Sequence, residues 1–430
     1  MRVTEFGAQA MANTAWAVAA LSFQNEPLRE SLALAAEALL SGNCTPQVVT
    51  STAWAVAALE IKEKPLLAGL ASAAARAIQA LCSRDAGSQT LEADATENAS
   101  TDGLTTKRGD GGATSATVRS LVQCLAAAGC FQEASLARDV HAQLQAVLIQ
   151  LSAGMDGSTM ALPPLAVTDV VSPAKPAILA TQRHLSVLWK PPGWTVTVGW
   201  GCDEEWSPAD QGAEGVEERE EKKEGELQPL QGWVVERLGS VYPIATDASA
   251  QHGLVHRLDK DTSGLMLCAL SYHGYHLAHL EFVSGRVTKE YVLLCHGHLA
   301  DAPRRIEVPL RVVGDKGARR SAPGLGARPA CTEVRAVAHL VGKSLEGGEK
   351  QQDYSLVEVK LHSGRLHQIR AHLSLEGHPL LGDRDYGAPP ATSSKRPFLH
   401  AHHLRVDLGE AEGPLDAHCA LPADLASLPG

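Results

Sequence analysis

The chain has 430 residues, of which 44% are hydrophobic, 20% charged and 4% aromatic, a composition typical of a globular protein. It is long enough for two or three domains, since a single hydrophobic core rarely grows beyond about 300 residues. No apolar run approaches the roughly 20 residues that a bilayer span needs, so we expect no membrane-spanning segment. The nine cysteines include no Cys-x-x-Cys pair, which favours reduced thiols over a disulfide framework.

The formal net charge of −11 is unevenly distributed. Residues 201–229 carry 11 acidic and 3 basic side chains, whereas acidic and basic residues are equal in number over 231–430. A neutral domain can still bind a nucleic acid if its cations cluster around a cleft, so the net charge excludes no such ligand. The acidic stretch predicts a disordered insertion that lies away from any such cleft.

The N-terminal zone repeats itself with a period of 38 residues, because NTAWAVAAL at 13–21 recurs as STAWAVAAL at 51–59. A second Ala- and Leu-rich segment follows each copy, a pattern typical of helix-turn-helix units stacked in an α-solenoid. Trp16 and Trp54 are predicted to pack between repeats. The copies resemble the helical repeats of organellar RNA-binding proteins, and whether the other faces contact RNA, protein or neither stays open.

Three further segments complete the first part of the chain. A Gly-, Ser-, Thr- and Asp-rich gap at about 86–113 predicts a flexible loop, and the residues after it predict another helical hairpin. We therefore expect an all-α helical-repeat region at 1–152 and a linker rich in Pro, Gly and Ser at 153–176. The chain starts inside the repeat and without a signal or transit segment, so an upstream targeting segment can lie outside this sequence.

Residues 177–430 predict an α+β domain with a mixed, mainly antiparallel sheet, because short Val- and Leu-rich runs outnumber helices and do not alternate with them. Helices are expected at 272–283 and 367–376. The predicted strands are LSVLWK, YVLLCHGHL, RIEVPLRVV, TEVRAVAHLV and YSLVEVKL.

The chemistry of this domain is concentrated in a few motifs. HRLDKDTSGLML at 256–267 places Asp259 two residues after an arginine and just before an apolar run. A second motif, GRLHQIRAHLSLEGHPLLGDRDYG, follows at 364–387. WKPPGW stands upstream, VTKEYVLL between the two motifs, and FLHAHHL and LPADL downstream.

These elements, in this order over about 240 residues, resemble the RluA-type RNA pseudouridine synthases. The resemblance implies a pseudouridine synthase catalytic domain at 177–430 and an isomerase that converts uridine in rRNA or tRNA to pseudouridine. It also implies RNA as the partner, no cofactor and a monomer. Ser363 replaces the threonine usual in the family, a change that should leave the following turn intact.

The isomerisation requires a particular set of side chains. The bond between uracil N1 and ribose C1′ must break, and the base must rotate and rejoin through C5. A carboxylate can serve as nucleophile or base at the sugar, and a nearby cation keeps it ionised. The resemblance makes Asp259 this carboxylate, Arg370 its cationic partner, and Tyr291 the aromatic residue that packs on the base and handles a proton.

The resemblance also implies residues that bind the RNA. Arg257 is expected to fill the space that the uridine leaves when it is taken out of its stack. Residues near the end of GRLHQIRAHLSLEGHPLLGDRDYG, including Asp383 and Tyr386, are expected to shape the wall of the site. The predicted RNA-binding residues are Arg257, Lys289, Arg365, His367 and Lys190.

No metal or nucleotide cofactor site is predicted. His273, His276 and His279 lie only partly on one helix face, and no cysteine or carboxylate completes a ligand set. The residues His400, His402 and His403 are expected to form an exposed patch with one structural member. Neither a Walker loop nor a dinucleotide fingerprint occurs.

Two alternatives remain open at this level. The synthase fold can serve as a platform that binds or stabilises RNA, with modification incidental, or the repeats can make the chain a scaffold. The complete set of predicted catalytic residues favours the enzyme. For the compartment, the repeats favour a mitochondrion or chloroplast, whereas the missing transit segment favours the cytoplasm.

Overall fold

A computed structural model of the chain describes residues 44–93, 111–156, 174–196, 228–314, 319–344, 348–389, 396–409 and 413–427, with some single positions. The predicted acidic insertion at 201–229 lies outside the described residues apart from its last two positions, and so does most of the predicted linker. No helix in the described part of the chain is long and apolar enough to cross a membrane.

The chain packs as two units, of which the first comprises residues 1–163, 241–253 and 269–286. Four of its helices follow one another in the chain, and α1 packs on α3 while α2 packs on α4. Part of the loop predicted at 86–113 is helical, since α2 extends to Ala93 and α3 begins at Gly111. The four helices are α1 (Pro46–Ala58), α2 (Lys64–Ala93), α3 (Gly111–Ala128) and α4 (Ala134–Asp156).

The predicted helix at 272–283 forms as α6 (Tyr272–Val283), after the short helix α5 (Leu230–Leu238) of the second unit. The Ser271 side chain caps α6 by accepting the Gly274 backbone N–H at 3.1 Å. Every residue from 274 to 282 is buried, and α6 packs on α4 within the first unit. From the sequence, this helix was expected to belong to the C-terminal domain. Because it is apolar nearly all round, it needs packing partners on every side, and α4 of the first unit is one of them.

The histidines of α6 are packing residues. The His276 Nδ1 lies 3.1 Å from the Ser152 Oγ, and the His279 ring packs edge-on against Tyr275 at 4.6 Å between centroids. Burial lowers the pKa of His276 to about 3, so this imidazole is neutral.

The second unit is built on a mixed sheet with the strand order β1-β2-β5-β12-β6-β11-β10-β7, and β13 pairs with β12. The pairing of β5 with β12 is parallel, whereas β6 runs antiparallel to both β11 and β12. The predicted mixed, mainly antiparallel sheet is thereby confirmed. The strands of this sheet are β1 (Ala177–Thr181), β2 (Leu185–Lys190), β5 (Ser263–Ala269), β6 (Thr288–His296), β7 (Arg304–Ile306), β10 (Thr332–Ser344), β11 (Gly348–Leu361), β12 (Leu399–Val406) and β13 (Leu415–His418).

The described part of the second unit also contains two small sheets and two further helices. The strands β3 and β4 pair in parallel, and β8 and β9 pair antiparallel. The predicted helix at 367–376 forms as α7, and a short helix α8 lies near the C-terminus. These elements are β3 (Trp194–Thr195), β4 (Gln228–Pro229), β8 (Arg311–Val313), β9 (Arg320–Ala322), α7 (Gln368–Leu375) and α8 (Ala423–Ala426).

One predicted strand, RIEVPLRVV, is divided between two sheets. Its first residues form β7 at the edge of the large sheet, and its last form β8 of a small hairpin. Pro309 lies in the break, where it has no backbone N–H to donate to a neighbouring strand.

Gly264 permits the closest approach between β5 and β12. It lies opposite Ala401 in the parallel register, with φ at +133°, a conformation that side chains disfavour. A Cβ atom at this position would lie 2.2 Å from the Ala401 carbonyl oxygen. The glycine therefore lets β5 pair with β12. This pairing holds the end of the Asp259 loop beside β12, which in turn pairs with β6.

We expect Gly264→Ala to lower the free energy of unfolding by about 2–5 kcal/mol, because it combines backbone strain with a steric clash. Chemical denaturation followed by circular dichroism measures this loss. Gly326→Ala is the matched control, since Gly326 also has a positive φ of +76° but no atom within 4 Å of the added Cβ. Equal losses in the two variants would contradict the close-approach argument.

Candidate active site

The segment that enters the site alternates between buried and accessible side chains. His256 and Leu258 are buried, whereas Arg257 is exposed and the Asp259 side chain is 20% exposed. The His256 Nε2 accepts the Leu267 backbone N–H at 2.8 Å, which ties the segment to β5. Burial, aided by the charge of Lys289, lowers the pKa of His256 to about 3, so the ring stays neutral. Arg257 and Asp259 are consequently presented on the accessible side.

Lys190, at the end of β2, supports the Asp259 loop from below. Its side chain is fully buried, and the ammonium group donates to the carbonyls of Lys260 at 2.9 Å and Thr262 at 2.7 Å. A third bond runs to the Pro191 carbonyl at 3.0 Å. Burial lowers the pKa of Lys190 to about 7, although the charges of the nearby aspartates oppose this effect.

A second buried cation, Arg396, holds the other side of the same loop. Its Nη1 donates to the Asp261 carbonyl at 2.9 Å, and its Nη2 donates to the Ser263 Oγ at 3.1 Å. Asp424 of α8 balances its charge through a bond of 2.7 Å to Nε. Sequence reasoning missed Arg396, and the only signal was its position just before the FLHAHHL element.

Arg370 of α7 lies between three carboxylates. Its Nε and Nη2 each donate to Asp383 at 2.7 Å in a two-pronged bond, and Nη2 also donates to Asp385 at 2.8 Å. Its Nη1 lies 3.9 Å from the Asp259 Oδ2. Burial lowers the pKa of Arg370, but the bonds and charge of Asp383 outweigh it and raise the net value.

Asp383 was predicted to shape the wall of the site, and the structure shows that it binds the Arg370 side chain. Its side chain is fully buried, and it fixes the plane of the Arg370 guanidinium so that the free edge points toward Asp259. Tyr386 covers the same guanidinium, with the cation 5.0 Å from the ring centroid. The spacing of Asp383 and Tyr386 after Arg370 in the motif could have suggested this support.

Tyr291 and Lys289 project from β6, which crosses the sheet beside β12. Tyr291 is buried and opposite Ala401, so it lies one strand away from the Asp259 loop. Burial, with the negative charge of Asp259, raises the pKa of Tyr291, and the phenol therefore stays protonated near neutral pH. Burial and the charge of Arg365 lower the pKa of Lys289 to about 8.

The turn before α7 is ordered by Gln368. Its Oε1 accepts the Ser363 hydroxyl at 2.7 Å and the Arg365 backbone N–H at 3.1 Å, and its Nε2 donates to the Thr332 Oγ1 at 3.0 Å. His367 takes a left-handed conformation with φ at 49°, which brings its Nε2 to 3.9 Å from the Asp259 Oδ1. Sequence reasoning gave no role to this glutamine.

The structure brings Asp259, His367 and Arg370 together, and Tyr291 responds to the charge of Asp259. Arg257, two residues before Asp259 in the chain, is exposed. Lys190 differs from the expectation, because a fully buried ammonium group with three carbonyl partners has no donor left for a phosphate. Its geometry is that of a residue that holds the Asp259 loop.

We expect Lys190→Met to slow turnover on RNA by about 10–100-fold while the Kd for RNA stays unchanged, because the loop carbonyls lose their donor. Single-turnover kinetics and a binding titration separate the two effects. Lys175→Met, which removes an exposed cation before β1, is the control and should change neither quantity. Weaker RNA binding by Lys190→Met at an unchanged rate would instead support the original prediction that Lys190 contacts the RNA.

Comparison with known proteins shows which family a part of this chain resembles. Residues 184–375 match the model for RNA pseudouridylate synthases. The similarity to this family is thus carried by residues 184–375. The matched synthase segment contains Asp259, Tyr291 and Arg370, whereas Arg396 and its partner Asp424 lie beyond it.

Three relatives illustrate the range of similar proteins. The ribosomal large subunit pseudouridine synthase D of Haemophilus ducreyi is 30% identical over 210 residues, 46% of this chain and 60% of its own length. The tRNA pseudouridine synthase C of the same species is 33% identical over 157 residues, 35% of this chain and 64% of its own. The chloroplastic RNA pseudouridine synthase 2 of Arabidopsis thaliana is 38% identical over 146 residues, 34% of this chain and 33% of its own. The chain thus spans less than two thirds of each of these synthases.

Proposed function

We propose that this chain is an RNA pseudouridine synthase that isomerises specific uridines in rRNA or tRNA. The observation that carries the proposal is the position of Asp259, a partly exposed carboxylate 3.9 Å from both a buried guanidinium and an imidazole. The relatives named for ribosomal and transfer RNA support this substrate class.

The chemistry assigned to Asp259 follows from the atoms that change partners. The N1–C1′ bond of uridine breaks, a C5–C1′ bond forms, and a proton leaves C5 while N1 gains one. Product and substrate have the same composition, so the reaction consumes no second substrate. Asp259 acts at the sugar as nucleophile or base, and Arg370 orients the carboxylate.

Tyr291 acts on the base rather than as an anion. A buried phenol whose pKa is raised remains neutral, so it packs against the uracil ring and serves as a hydrogen-bond donor or acceptor during proton movement. An ionised tyrosine beside Asp259 would place two negative charges together.

Arg257 acts on the RNA around the target. A uridine must leave its stack before its glycosidic bond is accessible, at a cost of a few kcal/mol. The exposed guanidinium of Arg257, two residues from Asp259, is placed to fill that space and stack on neighbouring bases. Lys289, Arg365 and His367 add to the RNA-binding surface.

We assign the chain to an organelle, and the chloroplastic Arabidopsis relative supports this compartment. Pseudouridine mapping across total RNA, with and without this protein, tests activity and substrate together. Loss of one or a few sites is expected. An unchanged map, with RNA still bound by the purified chain, would favour a binding platform instead.

A further inference from the structure

A group of histidines and carboxylates lies on strands β6, β12 and β13, separate from the residues around Asp259. The group forms because β12 and β13 pair in a register that sets His403 opposite His418 and Arg405 opposite Asp416. Directly opposed side chains in an antiparallel pair have Cβ atoms about 5 Å apart. The two imidazoles stack, with ring centroids 3.9 Å apart and planes within 8°.

A β-bulge in β12 brings the same group to Glu290 of β6. Ala401 pairs with Tyr291 and His403 pairs with Glu290, so His402 is the extra residue of the bulge. A bulge of this kind changes the direction of the side chains that follow it. It allows the His403 Nδ1 to lie 2.6 Å from the Glu290 Oε2.

Three donor atoms converge on the open side of the hairpin. The Asp416 Oδ1 lies 2.9 Å from the His403 Nε2 and 3.5 Å from the His418 Nε2. Ligand atoms around a tetrahedral zinc ion are about 3.4 Å apart, given bond lengths near 2.05 Å. The ligand atoms of the three residues all lie within 4.8 Å of one another, so small side-chain rotations would let one zinc ion bind all three.

We infer that His403, Asp416 and His418 form a binding site for a divalent zinc-class ion. Two imidazole nitrogens and one carboxylate oxygen favour zinc over magnesium or calcium, which prefer all-oxygen sites. The side chains of Asp416 and His418 are 37% and 65% exposed, so water can complete the coordination.

The surroundings of His403 support its role as a ligand. The second ring nitrogen of a metal-bound histidine commonly donates its N–H to a carboxylate, which fixes the tautomer and the ring orientation. Glu290 has that position, and it is itself held by an ion pair with Arg335. Both Glu290 oxygens are thus engaged, which makes this carboxylate a support for His403 rather than a ligand.

The neighbouring Arg405 contacts only one of the two carboxylate oxygens of Asp416. Arg405 contacts the Asp416 Oδ2 at 3.3 Å, whereas the Oδ1 faces the two histidines. The carboxylate is therefore oriented as a ligand through one oxygen. The ion would link β12 to β13 and, through Glu290, to β6, the strand that carries Tyr291.

The test is calorimetric titration of the full reduced chain with zinc chloride, alongside its thermal unfolding with and without the metal. We expect one ion per chain at this site and a rise in Tm on binding. His418→Gln and Asp416→Asn should each weaken zinc affinity at least tenfold, and Glu290→Gln should weaken it about tenfold by releasing His403. Magnesium chloride should give no comparable binding.

His298→Gln is the matched control, because the His298 ring also packs against another histidine, with its centroid 4.7 Å from that of His339, and its Nε2 lies 3.6 Å from an Asp353 oxygen. It should leave the zinc affinity unchanged. Unaltered affinity in His418→Gln would overturn the site, since zinc would then be held elsewhere, for example by thiols. Equal losses in His418→Gln and His298→Gln would overturn it as well.

Discussion

Replacing Asp259 with alanine is expected to abolish pseudouridine formation, with a loss of at least about 10³-fold in single-turnover rate, while RNA binding stays within about twofold. The variant removes the proposed nucleophile or base, and removing such a group causes a large loss of rate. The variant leaves Arg257 unchanged, as well as Lys190 and Arg396, which hold the Asp259 loop. Quantifying pseudouridine in a bound RNA substrate, together with a binding titration, measures both quantities.

Asp261→Ala provides the matched control. Asp261 is exposed and contributes its backbone carbonyl, not its carboxylate, to the bond with Arg396. Its removal should leave the rate near that of the parent chain. Pseudouridine formed at an undiminished rate by purified Asp259→Ala protein would refute the assignment, whereas a rate loss shared by Asp261→Ala would point to a general effect of loop charge.

Arg370→Ala is expected to affect rate and stability together. The rate should fall by about 10²–10³-fold, because Asp259 loses the cation that orients it. The free energy of unfolding should fall by about 3–5 kcal/mol, because the fully buried Asp383 loses its partner. Arg370→Lys should recover part of the stability but less of the rate, since an ammonium group cannot reproduce the two-pronged bond.

Urea unfolding and single-turnover kinetics under conditions where the variants are folded separate these two effects. Arg384→Ala, an exposed arginine in the same segment, is the control and should stay within about 0.5 kcal/mol of the parent chain. A full rate in Arg370→Ala would remove the proposed pairing with Asp259. An unchanged unfolding free energy would show that Asp383 does not depend on Arg370.

Much of the sheet and two helices follow from local pattern alone. The runs LSVLWK and YSLVEVKL form strands, and the helix expected at 272–283 has those bounds, because a serine cap and an apolar face both act locally. The pairing of this helix with α4 could not be predicted, since it depends on contacts more than a hundred residues apart. The division of RIEVPLRVV likewise depends on which sheet each half joins.

In the candidate active site too, the burial and long-range contacts of a residue could not be predicted from local sequence. Asp259 and Arg370 were predicted to meet, and they lie 3.9 Å apart. Motif reasoning assigned Lys190 to RNA because it is a cation near the site, but the sign of a charge does not reveal its burial. The histidines of FLHAHHL were expected to form an exposed patch with one structural member, and His400 is fully buried. The contact of His403 with Asp416 was not predicted, because it depends on the register of the hairpin.

The bond between Arg396 and Asp424 has a consequence for where a minimal catalytic domain can end. The segment that matches the family stops at residue 375, before both partners. A fragment trimmed to that segment would keep Asp259, Tyr291 and Arg370 but lose one of the two cations beneath the Asp259 loop, together with β12. Even trimming just ahead of Asp424 would leave Arg396 buried without its counterion, so the last turn of helix helps to determine the shape of a loop more than 160 positions earlier.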